Sequence, residues 1–132
     1  MTLILPATLQ APARARRAVE EALGGRVDDV LVYETELLVT ELVTNCIRHG
    51  ELRAGDRVEL SITLGEDRLR VEVRDPGRGF DPGDLVSPVE VASSGWGLRI
   101  VNRLSNRWGS ARGKPNVTWF EVDLDGRQRM IA

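Results

Sequence analysis

Hydrophobic and polar positions along this chain follow two different periods. Val58, Leu60, Ile62 and Leu64 alternate with Glu59, Ser61 and Thr63. After the turn at 65–68, Leu69, Val71 and Val73 alternate with Arg70, Glu72 and Arg74. A period of two belongs to a half-buried strand, so the two runs predict an antiparallel hairpin with one apolar and one charged face. Residues 117–124 repeat the pattern, with Phe120, Val122 and Leu124 opposed to Trp119, Glu121 and Asp123, and 2–5 read as a short strand broken by Pro6.

Elsewhere the period is helical. Ala15, Ala18, Val19 and Ala22 fall on one face of a helix over 11–23, stopped by Gly24-Gly25. Asp28-Asp29 offers an N-cap and first-turn negative charge to a long second helix over 29–49, which Leu38, Val39, Leu42, Val43, Cys46 and Ile47 would bury and Gly50 ends. Leu98, Val101, Leu104 and Ser105 predict a third helix over 97–106, closed by Trp108-Gly109. The order strand, helix, helix, hairpin, loop, helix, strand predicts an α+β fold, a two-layer sandwich of about three helices on one face of a mixed, mainly antiparallel sheet. The 132 residues fit a single domain, with a core over about 11–124 and a loose tail at 126–132.

Composition narrows the partners. A hydrophobic share of 42% with 29% charged residues is that of a folded globular chain, and a net charge of −2 gives no basic field for nucleic acid. No run approaches the ~20 apolar residues that cross a bilayer, and the N-terminus does not read as a signal peptide. A single cysteine, Cys46, excludes an internal disulfide and reads as a small buried hydrophobe in a reducing cytoplasm.

Three polar constellations interrupt this pattern. In the second helix Glu41 and Asn45 are four residues apart and Arg48 is seven from Glu41, so a carboxylate, a carboxamide and a cation share one side. Taken alone, that is a solvated face. Asp75-Pro76-Gly77-Arg78-Gly79 follows a strand; Gly77 and Gly79 allow close backbone approach, and Asp75 is an acceptor suited to an exocyclic amine. Alone, it is also an ordinary turn. Gly95-Trp96-Gly97-Leu98 opens the third helix, where free N–H groups and the helix dipole receive an anion. Gly113-Lys114 is followed by Pro115, so there is no P-loop, and Ile100 stands where a dinucleotide fingerprint needs its last glycine.

Together, in this order and spacing, the three constellations resemble the GHKL ATPases. The wording TELVTNCIRHG, DPGRGFDP and GWGLRIVNRLSNRWG is similar to that of the bacterial anti-sigma factor serine kinases within that superfamily. The resemblance implies ATP and Mg²⁺ as cofactors. It implies Glu41 as general base or orienting carboxylate, Asn45 as the Mg²⁺ ligand, and Asp75 as the adenine acceptor with Gly77 and Gly79 lining the base pocket. It also implies Gly95 and Gly97 beside the phosphates with Leu98 behind them, and Arg48 near the phosphates. The implied partners are a sigma factor and an anti-anti-sigma protein, phosphorylated on serine, with pairing as a homodimer common among such kinases. The alternative is a module that holds nucleotide without transferring phosphate and acts through protein contacts.

Overall fold

The computed structural model describes residues 1–49, 52–53, 55–76, 105–111, 113 and 115–124, with backbone alone at 48 and 49. Its elements are β1 (Thr2–Pro6), α1 (Ala11–Leu23), α2 (Asp29–His49), β2 (Arg57–Leu64), β3 (Arg68–Asp75), β4 (Arg107–Ala111) and β5 (Asn116–Asp123). The five strands form one sheet in the order β1-β2-β3-β5-β4. All four pairings among the described residues are antiparallel, in keeping with the mainly antiparallel sheet expected. Among the described residues no helix is long and apolar enough to cross a membrane.

The helices begin and end as their sequences dictate, but local signals do not hold them equally. At the start of α2, Asp28 Oδ1 accepts the Leu31 N–H at 2.8 Å, an N-cap bond. Gln10, at the start of α1, makes no such bond, and the first turn of α1 has no acidic residue. A missing cap costs about 1 kcal/mol, whereas each fully buried Val or Leu contributes about 1.5–3 kcal/mol. Buried Val19 and Leu23 therefore outweigh the deficit, and tertiary packing holds α1. Its end is marked by Gly25, whose φ of 77° lies in the region glycine enters without strain.

Both helices join one apolar core with the inner face of the sheet. Across that face Leu60 opposes Val73, Ile62 opposes Val71, and Val71 opposes Phe120. Leu5 of β1 is also fully buried in this core. Inward positions of β3 recur at Leu69, Val71 and Val73, and the same phase carries Asp75 inward, buried at the end of the strand.

The region after residue 104 departs from expectation. The proposed third helix falls mostly on 97–104, outside the described residues, but its expected end is not helical: the Asn106 N–H donates to the Glu121 carbonyl at 2.8 Å. Trp108 and Gly109 lie within β4 and do not close a helix. Gly109 is there because the Trp119 ring of β5 covers it; a Cβ would meet that ring at 3.0 Å. On its other flank Trp119 carries the Arg70 guanidinium, 4.6 Å from the ring centroid. Gly109→Ala is therefore expected to displace the ring and lower stability by about 1 kcal/mol, read as a lower melting temperature with a shift in tryptophan emission.

Around Trp119 the outer face is a ladder of charge. Arg107 of β4 bonds Glu121 at 2.8 Å and also pairs with Asp123. Arg70 of β3 joins Glu121 at 2.9 Å and Glu72 at 2.7 Å, and Arg74 reaches Glu72 at 2.8 Å. The Arg107 and Arg70 guanidinium groups hold the Glu121 carboxyl below its usual range, in that order of weight. One face of the sheet is thus committed to the core and the other to solvent.

Candidate functional site

Glu41 and Asn45 occupy successive turns of α2 above the sheet, Glu41 half-buried and Asn45 only 1% exposed. An α-helix places residues i and i+4 one above the other, so the carboxylate and the carboxamide share a face. The Asn45 Oδ1 is buried and finds no hydrogen-bond partner among the described residues. An unmet buried acceptor costs on the order of 1–3 kcal/mol. Such an oxygen is a suitable donor to a hard cation such as Mg²⁺. Among the described residues no group of three or more His, Cys, Asp or Glu stands ready to cage a metal. A cation at Asn45 would therefore draw most of its ligands from phosphate and water oxygens.

Asp75 lies at the end of β3, beneath the C-terminal half of α2, and is 4% exposed. Two side chains from different elements bond its carboxylate. The Cys46 thiol, next to Asn45 on α2, donates to Oδ2 with Sγ at 3.3 Å. Asn116, the first residue of β5 and directly opposite Asp75 in the sheet, donates through Nδ2 to Oδ1 at 3.3 Å. Burial first, and then the charge of Asp75, push the Cys46 thiol well above its ordinary pKa, so it remains an S–H donor. The same hydrogen bond ties α2 to β3, so Asn45 and Asp75 are set by one connected structure.

The Cys46–Asp75 bond thus links the helix that carries Glu41 and Asn45 to the Asp75 of the sequence reading. The side chains of Arg48 and His49 lie outside the described residues, as do Gly77, Gly79, Gly95, Trp96, Gly97, Leu98 and the segment 80–94. Sequence reasoning missed two contributors. Cys46 is buried, as expected, but also acts as a donor, and Asn116 draws no role from the sequence alone. The period-two phase of β3 was the available signal that Asp75 turns inward under α2. Asn116 carried no local signal, since its relation to Asp75 exists only in the pairing of β3 with β5. A separate pocket of about 370 Å³, lined by Arg57, Glu59, Arg74 and Pro115 among others, meets this site only at Asp75 and Pro76.

Comparison with known proteins gives a family for this arrangement. The family model of the histidine kinase-like ATPase domain matches residues 5–121. Serine-protein kinase RsbW of Bacillus cereus and that of Bacillus thuringiensis are each 29% identical to the chain over 96 residues. Each match takes in 65% of this chain and 59% of the relative, so the chain spans about three-fifths of the curated relatives it matches. The histidine kinase domain of a blue-light activated histidine kinase from Erythrobacter litoralis superposes with a TM-score of 0.60 at 26% identity. That superposition covers 92% of this chain and 63% of the other. With the model matched from β1 into β5, and with this sheet and helix pair, the chain belongs to the histidine kinase-like ATPase family.

Proposed function

We propose that this chain is an ATP- and Mg²⁺-binding regulatory serine protein kinase of the anti-sigma type, which sequesters a sigma factor and phosphorylates an anti-anti-sigma partner on serine. The observation that carries the reading is the buried Asn45 Oδ1, without a partner among the described residues, one turn from Glu41 on the helix whose Cys46 bonds Asp75. Family membership supports ATP as the nucleotide, and similarity to RsbW, a serine-protein kinase by name, supports transfer to serine.

In this reading Asp75 accepts the exocyclic amine of adenine, and Asn45 would offer its oxygen to Mg²⁺. Bound Mg²⁺ supplies neutralisation of phosphate charge. Glu41 orients the partner's serine hydroxyl and accepts its proton as the serine oxygen bonds the γ-phosphorus and the β–γ bridging oxygen leaves with ADP. Gly77, Gly79, Gly95, Gly97 and Leu98 complete the base and phosphate walls, with Arg48 at the phosphate end. Transfer in a single domain, 1–132, belongs to the same proposal.

The test is incubation of the purified protein with radiolabelled Mg-ATP and a serine-bearing antagonist protein. Label is expected on the antagonist, and Glu41→Ala is expected to slow its appearance by about 10²- to 10⁴-fold with ATP affinity retained. Tight ATP binding without transfer, and a Glu41→Ala variant indistinguishable from wild type, would leave a nucleotide-holding interaction module instead.

A further inference from the structure

We propose that Asn116 is a positioning residue for base recognition, locked by the Gly113 N–H so that its carboxamide holds the plane of the Asp75 carboxylate. The proposal rests on the reading of Asp75 as the adenine acceptor and names what sets that acceptor's geometry.

Asn116 is 5% exposed, and its carboxamide bonds two described neighbours. Its Oδ1 accepts the Gly113 N–H at 3.0 Å, and its Nδ2 donates to Asp75 Oδ1 at 3.3 Å. These two contacts select one amide orientation. The flipped amide would set its NH₂ against the Gly113 N–H and its oxygen against a carboxylate, two repulsive contacts in place of two bonds. The orientation of Asn116 is therefore fixed from the β4–β5 connection, and Asn116 transmits it across the sheet.

The final torsion of an aspartate is broad, so a carboxylate held at one oxygen can swing. Asp75 is held at both, by Asn116 from β5 on Oδ1 and by the Cys46 thiol from α2 on Oδ2. Because both of these neighbours donate, the carboxylate faces the ligand as an acceptor of fixed plane. A base with an amine at C6 satisfies it, whereas a base with a keto oxygen there sets lone pair against lone pair. Sites built around such a hydrogen bond discriminate strongly against an analogue that lacks it. Asn116 thereby becomes a determinant of specificity without touching the ligand.

The test compares ATP with ITP, whose base carries a keto oxygen in place of the amine, by calorimetry on the full chain. Asn116→Ala is expected to weaken ATP about tenfold and ITP little, so that the ratio of the two dissociation constants narrows. A purely structural role would weaken both alike, and an unchanged ratio overturns the proposal. Asn116→Asp sets two carboxylates against each other, so ATP affinity should become pH-dependent, weak near about pH 8.5 and recovering toward about pH 6 as the pair shares a proton. A flat profile in that variant overturns it equally. Gly113→Pro removes the locking N–H, along with fixing the local φ, and gives the same ratio readout where an Asn116 variant does not fold. Equal binding of ATP and ITP by the wild type, or a preference that survives Asp75→Asn, would sink the adenine reading itself. A preference lost in Asp75→Asn but kept in Asn116→Ala sinks only the role given to Asn116.

Discussion

Asp75→Asn is expected to lower ATP affinity about 10- to 100-fold while leaving the apo protein folded. The range is that of a hydrogen bond to a charged group at about 1.5–3 kcal/mol. Around Asp75 both described partners are donors, the Cys46 thiol and the Asn116 amide. A carboxylate answers two donors and a ligand amine with acceptor oxygens alone, whereas a carboxamide has one oxygen and an NH₂. The substituted side chain can satisfy Asn116 or the base, but not both. Folding is far less exposed, since the replacement is nearly isosteric and removes a buried charge. Calorimetry with ATP, set beside the melting temperature without ligand, separates the two effects. Undiminished affinity in a folded variant would end the assignment of Asp75 to the base.

Asn45→Ala should separate stability from ligand response in the opposite direction. Without ligand, the variant loses a buried oxygen that has no partner among the described residues and gains helix propensity. Apo stability is therefore expected to hold or rise by up to about 1 kcal/mol, although the side chain is almost fully buried. With saturating Mg-ATP the wild type should gain about 2.7 kcal/mol at a concentration one hundred times its dissociation constant. The variant should lose most of that gain. Melting curves with and without Mg-ATP give both numbers in one experiment. A variant clearly less stable than wild type without ligand, yet equally stabilised by Mg-ATP, would remove Asn45 from the phosphate end. The pattern expected is the exchange of stability for activity common at functional sites, where an unmet polar group waits for its ligand.

Much of this was readable from residue order because its causes are local. The bounds of α1 and α2 follow from alanine-rich spacing, the glycine pair, Asp28 and the apolar stripe of the second helix. The hairpin of β2 and β3 follows from strict alternation around a short turn. β4 was not readable, because the meaning of Trp108-Gly109 lies in another strand. A glycine after a tryptophan looks like the end of a helix until the Trp119 ring is seen lying over it. The site divides in the same way. Glu41 and Asn45 are neighbours by helical period and Asp75 by strand phase, so each could be nominated from its own segment. The bonds from Cys46 and Asn116 to Asp75 span 29 and 41 residues, and only the packing of α2 on β3 and the β3–β5 register create them.

The inward phase of β3 has a consequence for how this protein checks its own folding. A slip of one residue along β3 would turn Leu69, Val71 and Val73 outward and drive Arg70, Glu72 and Arg74 into the core. It would also carry Asp75 away from Cys46 and Asn116. The apolar stripe and the buried Asp75 carboxylate thus share a single reading frame, and a chain out of frame would have neither the core nor that bonded carboxylate. Nucleotide added during refolding would select in-frame molecules by mass action. The ligand would then serve as a proofreader of the central strand.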